Sequence, residues 1–418
     1  MEESPVSRRV ALEILVSCLD KNQPLDDALA RHRDFAGLDP RDRAFVRLLL
    51  ATTLRRLGEI DAVLGQLIER DNPAARQVLR LGATQLLFLG TPAHAAVDTS
   101  VRLVDPHLKG FANAVLRRVA REGAALLGDR DPARLNTPGW LWESWLASYG
   151  EQDTRAIAAA HLLEAPLDLT PRADAALWAS RLDGELLPTG TIRRAAGGAI
   201  VNLPGYAEGA WWVQDAAAAL PARLLGNVAG KRVADLCAAP GGKTLQLAAA
   251  GAHVTAVDIS ARRMARLGDN LARSGLPAEL VTADAAIWMP AEKFDAVLLD
   301  APCSGTGTLR RHPDIAWLKD QDDVDRLTFT QDRLLTHALD LLWPGGTLVY
   351  AVCSLQEEEG PARVEALLTR DGRVKRFSVQ ANELPGLADA ITPTGDVRTL
   401  PPMGMDGFYI ARLKLASA

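Results

Sequence analysis

Residues 235–250 read "DLCAAPGGKTLQLAAA": the end of an apolar run, an acid, a glycine-rich turn, then a string of helix formers. A glycine-rich turn between a strand and a helix lets the backbone approach a ligand closely and leaves free N–H groups at the helix start, which favour a polar or anionic group. The stretch therefore reads as the first strand-turn-helix unit of a ligand-binding α/β sheet. Two ligand classes compete for it. A phosphate-binding loop needs G-x-x-x-x-G-K-[ST]. Gly242, Lys243 and Thr244 satisfy its end, but Cys237 stands where its first glycine should be. The apolar "VLLD" ending at Asp300 imitates the metal-holding acid of a nucleotide hydrolase. Against the phosphate reading stands Asp258, about 20 residues on, the spacing at which an acid holds the ribose hydroxyls of a nucleoside cofactor.

Working outward, the runs "RVADLCA", "HVTAVDIS", "AELVTADA", "FDAVLLDAP" and "GGTLVYAVCS" between residues 232 and 354 are separated mostly by helix-like stretches. That alternation predicts a doubly wound, mostly parallel sheet, a Rossmann-like α/β fold. Asp235, Asp258, Asp284 and Asp300 fall at the ends of consecutive strands, the sheet edge where such folds bind ligands. Any one of them alone is an ordinary capping residue. As a series they describe a slot for adenosine, with the ribose at Asp258, the adenine amino group at Asp284, and an amino-acid tail near the glycine loop. Clustered carboxylates repel a triphosphate, so the slot favours S-adenosylmethionine.

The rest of the chain has a different character. Of 418 residues, 48% are hydrophobic and 24% charged, as expected for a globular protein of two or three domains. The start, "MEESPVSRRV", lacks the apolar region of a signal peptide and no run of about 18 apolar residues occurs, so a cytoplasmic protein is expected. Residues 1–131 read as successive helices: Val10, Ile14, Leu15, Cys18 and Leu19 recur at helical spacing, and Asp39-Pro40 and Asn72-Pro73 are start signals. In "KGFANAVLRRVARE", Phe111, Val115 and Val119 share a face turned away from Arg117, Arg118 and Arg121. The net charge is −5, but residues 1–130 carry 19 Lys+Arg against 17 Asp+Glu, so a mildly basic helical region is hidden in the sum. Its clusters, Arg55-Arg56 included, fit either a nucleic-acid edge or solvated helix faces. Residues 132–218, with tryptophans in "TPGWLWESWLASYG" and breaks at Pro166, Pro171, Pro188 and Gly197-Gly198, predict a helix and a few short strands in a small mixed subdomain, the tryptophans packing in a core. Residues 219–418 form the α/β domain.

The four cysteines, at 18, 237, 303 and 353, are too few for a disulfide framework and lack zinc spacing. Cys303 and Cys353 each follow an apolar strand as a Cys-Ser pair. Free cysteine is often buried as a small apolar residue, yet two thiols at neighbouring strand ends beside a methyl-donor slot suit one chemistry. Carbon 5 of a pyrimidine is a poor nucleophile until a thiolate adds at carbon 6; after methyl transfer, a second thiol can assist removal of the carbon-5 proton and release of the product.

"DLCAAPGGKT", "DAPCSGTGTLRRHPDIAW" and "YAVCSL", with the C-terminal "PPMGMDGFYIARLKL", resemble the RsmB/Sun type of bacterial 16S rRNA cytosine-C5 methyltransferases. The N-terminal helices resemble the NusB-like RNA-binding domain that family carries, so the resemblance spans essentially the whole chain. It implies Cys353 as nucleophile and Cys303 as the thiol that helps release product. It implies cofactor contacts at Cys237, Ala238, Ala239, Pro240, Gly241, Gly242, Lys243, Asp258, Asp284 and Asp300, with Arg263 also lining that site. The implied substrate is 16S rRNA or a small-subunit precursor; a monomer is the default expectation. Where the family has Thr before the second cysteine and Pro-Glu-Glu-Asn after it, this chain has Val352 and "QEEEG" at 356–360, which leaves the packing of that loop open. Asp300 has two open roles, toward the cofactor or toward the cytosine ring nitrogen, and Arg310, Arg311 and His312 fit either phosphate contacts on the substrate side or a solvated loop. A small-molecule or protein methyltransferase would need neither the paired thiols nor the helical extension. A non-catalytic assembly factor would not need the cysteines.

Overall fold

The computed structural model describes residues 5–70, 72–195 and 197–417, the side chain of Pro5 excepted, and the chain divides into two compact units. The first comprises residues 1–163 together with 309–320. Its helices include Pro5–Leu19, Pro40–Arg55, Leu57–Leu67, Pro73–Leu87, Lys109–Leu127 and Gly139–His161. The start signals act as read: the Asp39 carboxylate accepts from the Asp42 N–H at 2.8 Å, and the Asn72 side chain accepts from the Ala74 N–H at 3.1 Å. Val10, Ile14, Leu15 and Cys18 pack with Leu49, Leu50 and Leu54 in one core, and Val115 and Val119 pack with Ile60 and Val78 in another. Burial pushes the Cys18 thiol up to about 12, so it is a packing group. Trp142 and Trp145 are also buried. Arg117, Arg118 and Arg121 are exposed.

Residues 309–320 close this helical unit. The Leu25 N–H donates to Asp314 at 2.9 Å, the Arg55 guanidinium to the Arg310 carbonyl at 2.9 Å, and the Trp317 indole N–H to the Leu54 carbonyl at 2.8 Å. Arg55 is thus used internally, and Arg56 pairs with Glu59 at 2.9 Å. The Arg55-Arg56 cluster is not a free basic edge.

His161 supplies a pH test of this unit. It lies against Trp145 with ring centroids 5.4 Å apart, and among the described residues neither ring nitrogen has a hydrogen-bond partner. Burial, with the nearby Arg310 charge adding, pushes its pKa down from 6.5 to about 3. The imidazole stays neutral in the folded state while the unfolded chain takes up a proton, so this contribution is present above 6.5 and is lost as pH falls toward 3. Between about pH 7.5 and about pH 5 the loss should be about 2 kcal/mol. Denaturant unfolding at both pH values should show that His161→Leu removes this increment; an unchanged pH slope in the variant would rule out the assignment.

The second unit comprises residues 164–308 and 321–418. A small antiparallel sheet in the order β2-β3-β1-β4 is built from β1 (Leu167–Pro171), β2 (Glu185–Leu186), β3 (Ile192–Arg194) and β4 (Trp211–Val213). The buried Asp168 is held there in a two-pronged pair by Arg193 at 2.8 and 2.7 Å. The large sheet runs β10-β12-β9-β8-β5-β6-β7, with β11 paired to β12. Its strands are β5 (Arg232–Leu236), β6 (His253–Asp258), β7 (Glu279–Thr282), β8 (Phe294–Asp300), β9 (Leu342–Val352), β10 (Val374–Arg376), β11 (Val397–Thr399) and β12 (Phe408–Leu415). β5 to β9 pair in parallel, and β12 inserts antiparallel between β9 and β10. The central parallel strands β8 and β9 are apolar on both faces, and both faces are covered: Leu299 and Tyr350 enter one core cluster, while their neighbours Leu298 and Val349 enter the other.

Two features of this sheet set up a site. The chain winds from β5 to β6 and β7, then crosses back to β8 on the other side of β5, so the loops after β5 and β8 part at a topological switch point. The register Asp300↔Ala351 between β8 and β9 brings the residues just beyond both strands, Cys303 and Cys353, to the same edge. No described helix is long and apolar enough to cross a membrane.

Candidate active site

The glycine loop is shaped by backbone conformation. Gly241 has φ 108°, and a Cβ there would lie 2.2 Å from Leu267 Cδ1, so only glycine fits. Gly242 opens the helix Gly242–Ala249, and the Thr244 hydroxyl donates back to Asp235 at 2.5 Å. Asp235 is fully buried and burial pushes its carboxyl up to about 7. It ties the helix start to its strand and does not line the cavity described next. The strand-end acids therefore divide: three face the ligand edge and one is structural.

A cavity of about 310 Å³ is lined by Cys237, Ala239, Asp258, Arg263, Asp284 and Asp300, and reaches Cys303 and Cys353. Ala238, Pro240, Gly241, Gly242 and Lys243 shape the loop without lining it. Asp258 is 2% exposed; one carboxylate oxygen accepts from the Ser260 N–H at 2.9 Å, the other from the Ala239 N–H at 3.2 Å and Arg263 at 2.6 Å. Asp284 caps the turn after β7 by accepting from the Ala286 N–H at 2.9 Å. Lys243 turns toward Asp300, with Nζ 2.6 Å from the carboxylate. Burial is the largest single influence and would lower the pKa of that ammonium, but the charge and hydrogen bond of Asp300, with Asp235 and Cys353 adding, together outweigh it and the net shift is upward. The cations of this loop are thus committed to carboxylates, Lys243 to Asp300 and Arg263 to Asp258, an arrangement that suits a neutral nucleoside bearing a cationic tail better than a triphosphate.

The sulfurs of Cys303 and Cys353 are 3.4 Å apart. The Cys303 thiol is held well above its ordinary value, first by its hydrogen bond with Cys353, then by burial and by the charges of Cys353 and Glu359. The two thiols are within hydrogen-bond distance, and Cys303 is the one whose ionisation its surroundings oppose. Burial and the surrounding Asp300, Asp258 and Asp235 push the Cys237 thiol up to about 12, so the third thiol at this edge is inert.

Several residues of the site carry no sequence signal of their own. Thr330 and Leu334 line the cavity from the helix Gln321–Asp340, one turn apart on a single helix face. Ile259 also borders it while 72% exposed; an apolar side chain directly after a strand-end acid is the one hint. Glu359 is fully buried beneath the two Cys-Ser loops, accepting from Ser304 and Ser354. Its place in a run of three glutamates hid it. Val352 enters the sheet core in this chain. Arg310 corrects an expectation: at 5% exposure in the segment that closes the helical unit, it is no surface phosphate contact. His312 lies 3.6 Å from Asp26.

Comparison with known proteins agrees with this fold. A family model described as 16S rRNA methyltransferase RsmB/F matches residues 222–414, and the NusB family matches residues 5–121. Ribosomal RNA small subunit methyltransferase B of Pseudomonas putida is 36% identical, covering 98% of this chain and 99% of its own length. The protein of that name from Pseudomonas syringae pv. tomato is 37% identical over 97% and 96%. Among solved structures, the crystal structure of PH0851 superposes with a TM-score of 0.76 at 21% identity, covering 99% of both chains. A methyltransferase homolog from Pyrococcus horikoshii gives a TM-score of 0.57 at 26% identity, over 65% of this chain and 93% of its own.

Proposed function

The chain belongs to the RsmB/F family of 16S rRNA methyltransferases and uses S-adenosylmethionine as methyl donor, and from that premise we propose that it forms 5-methylcytosine in 16S rRNA through a covalent adduct of Cys353 at carbon 6 of the base. The observation that carries the reading is the thiol pair: two sulfurs 3.4 Å apart at one end of the cavity, with the surroundings of Cys303 opposing its ionisation. We take Cys353 as the nucleophile, the role the family resemblance gives it. The Lys243 ammonium lies close enough to interact with charge on the Cys353 sulfur, the kind of neighbour that suits a reacting thiolate.

In this reading Asp258 and Asp284 hold the adenosine of the donor, and Arg263 aligns the Asp258 carboxylate through its 2.6 Å contact. When bound, the donor supplies an electrophilic methyl group. Cys353 adds to carbon 6, which places electron density on carbon 5. Once that sulfur is a neutral thioether, Cys303 can release its own proton to solvent, and its thiolate then takes the carbon-5 proton as the C5–C6 double bond re-forms and the C6–S bond breaks, returning Cys353 as a thiolate. Asp300, anchored by Lys243, faces the cavity in position for either the donor or the ring nitrogen. The target cytosine must leave its stack to reach the thiols, which unpaired loop RNA allows most cheaply. Tritiated donor with total ribosomal RNA, followed by mapping of the labelled nucleotide, tests the reading; label on protein or small molecules alone would overturn it.

We assign residues 1–131 to RNA binding, 132–218 to a connecting role and 219–418 to methyl transfer, in a cytoplasmic monomer. Deleting the helices is a poor test, because residues 309–320 would lose the partners they pack on. Charge reversal on the exposed edge is cleaner. Arg117→Glu with Arg121→Glu should weaken RNA binding and reduce the salt slope by about 0.7 to 0.9 for each phosphate that is no longer neutralised, with donor affinity unchanged. An unaltered slope would make that edge a solvated face only.

A further inference from the structure

Glu359 does not border the cavity, yet its fully buried carboxylate is the point where both cysteine loops meet. Oε1 accepts from the Ser304 N–H at 2.8 Å and from Gln331 Nε2 at 3.1 Å. Oε2 accepts from the Ser304 hydroxyl and from the Ser354 hydroxyl, each at 2.5 Å. The Glu359 carbonyl accepts from the Tyr350 hydroxyl at 2.5 Å, and Gln331 also reaches the Pro302 carbonyl at 2.9 Å. Ser304 follows Cys303 and Ser354 follows Cys353, so each thiol-bearing residue is one peptide bond from an anchor on the same carboxylate.

We propose that Glu359 is a positioning residue: by binding Ser304 and Ser354 with one carboxylate it sets the separation of the Cys303 and Cys353 sulfurs. A buried carboxylate is tolerated only when its lone pairs are filled, and four donors from three chain segments fill them here. Hydrogen bonds to an ionised acceptor are among the stronger ones, so the cluster holds the two loops in one register. The negative charge has a second effect in the same direction, since it opposes ionisation of Cys303 and keeps the two thiols unlike. The effect on turnover rests on the covalent reading above; the effect on sulfur separation does not.

Two variants separate reach from charge. In Glu359→Gln the amide carbonyl takes the place of Oε1, and the amide NH₂ faces two hydroxyls that can rotate to accept, so the geometry persists. Glu359→Asp keeps the charge but shortens the arm by a methylene, so one carboxylate no longer reaches both loops. The readout is pairing of the two thiols by diamide, in which the azo compound takes up two hydrogen atoms, becoming a hydrazine, as the sulfurs join in a disulfide. Peptide mapping by mass spectrometry locates the bond. The native protein and Glu359→Gln should form the 303–353 disulfide at similar rates, and Glu359→Asp should form it about 10²-fold more slowly, the scale of an ångström-sized misplacement. Methyl transfer should follow the same order through kcat, with the KM for donor unchanged.

Native-rate pairing in folded Glu359→Asp, or failure of the native protein to pair, would overturn the proposal. If Glu359→Asp does not fold, Ser304→Ala with Ser354→Ala cuts the same tie from the other side, and native-rate pairing there overturns it equally. Pairing that responds as expected while no cysteine variant traps RNA supports the positioning role and removes the covalent reading.

Discussion

Cys353→Ala should abolish methyl transfer while leaving S-adenosylmethionine binding intact, and Cys303→Ala should accumulate a protein-RNA adduct that survives denaturing electrophoresis. The asymmetry follows from the proton. The surroundings of Cys303 oppose its ionisation, which suits it to proton transfer rather than attack, so Cys353 can still add to carbon 6 and the methyl group can still be transferred when Cys303 is removed. What is lost is help in taking the carbon-5 proton, and loss of such help slows a step by roughly 10²- to 10⁴-fold. The adduct persists because its breakdown becomes the slow step. The double substitution should behave like Cys353→Ala, since no adduct can be trapped where none is made. An adduct with Cys353→Ala would reverse the assignment; active variants with no adduct in either would end the covalent mechanism.

Replacing Asp258 should weaken the donor by about 1.5 to 3 kcal/mol, roughly 10- to 150-fold, the scale of a hydrogen bond to a charged group. Asparagine is a better replacement than alanine. Asp258 accepts from Ala239, Ser260 and Arg263, so alanine would strand buried donors and distort the loop, whereas asparagine keeps an oxygen and the shape. Calorimetry with S-adenosylmethionine on Asp258→Asn reads the effect, thermal unfolding checks the fold, and ATP should show no comparable binding in either protein. Unchanged donor affinity in the folded variant would remove the adenosine assignment.

The phosphate-loop alternative could not be dismissed from spacing alone, since Gly242, Lys243 and Thr244 satisfy the end of that motif. The direction of one side chain bears on it. Lys243 is drawn 2.6 Å from Asp300 rather than left to meet a phosphate, and Thr244 is spent on Asp235 at 2.5 Å. Asp300 is 57 residues from Lys243, so no local pattern could announce that pairing. The same holds for Arg55: it reads as half of a basic cluster, and it donates instead to the Arg310 carbonyl at 2.9 Å.

By itself the sequence determined what depends on local chemistry. Apolar runs of strand length, the glycine turn, helix caps at Asp39 and Asn72, and acids and cysteines just beyond strands are each read within a few residues, because strand period, cap hydrogen bonds and turn conformation are short-range. Only the tertiary structure decided what depends on register between distant segments. The Asp300↔Ala351 pairing of β8 with β9 aligns the two thiols, and Glu359 anchors Ser304 and Ser354 across the same join. Asp235 is turned into the core while Asp258, Asp284 and Asp300 line the cavity, and residues 309–320 leave the cysteine loop to close a helical core. The physical reason is common to all four: a residue's type limits which bonds it can make, but which partner it meets is chosen by the packing that buries it.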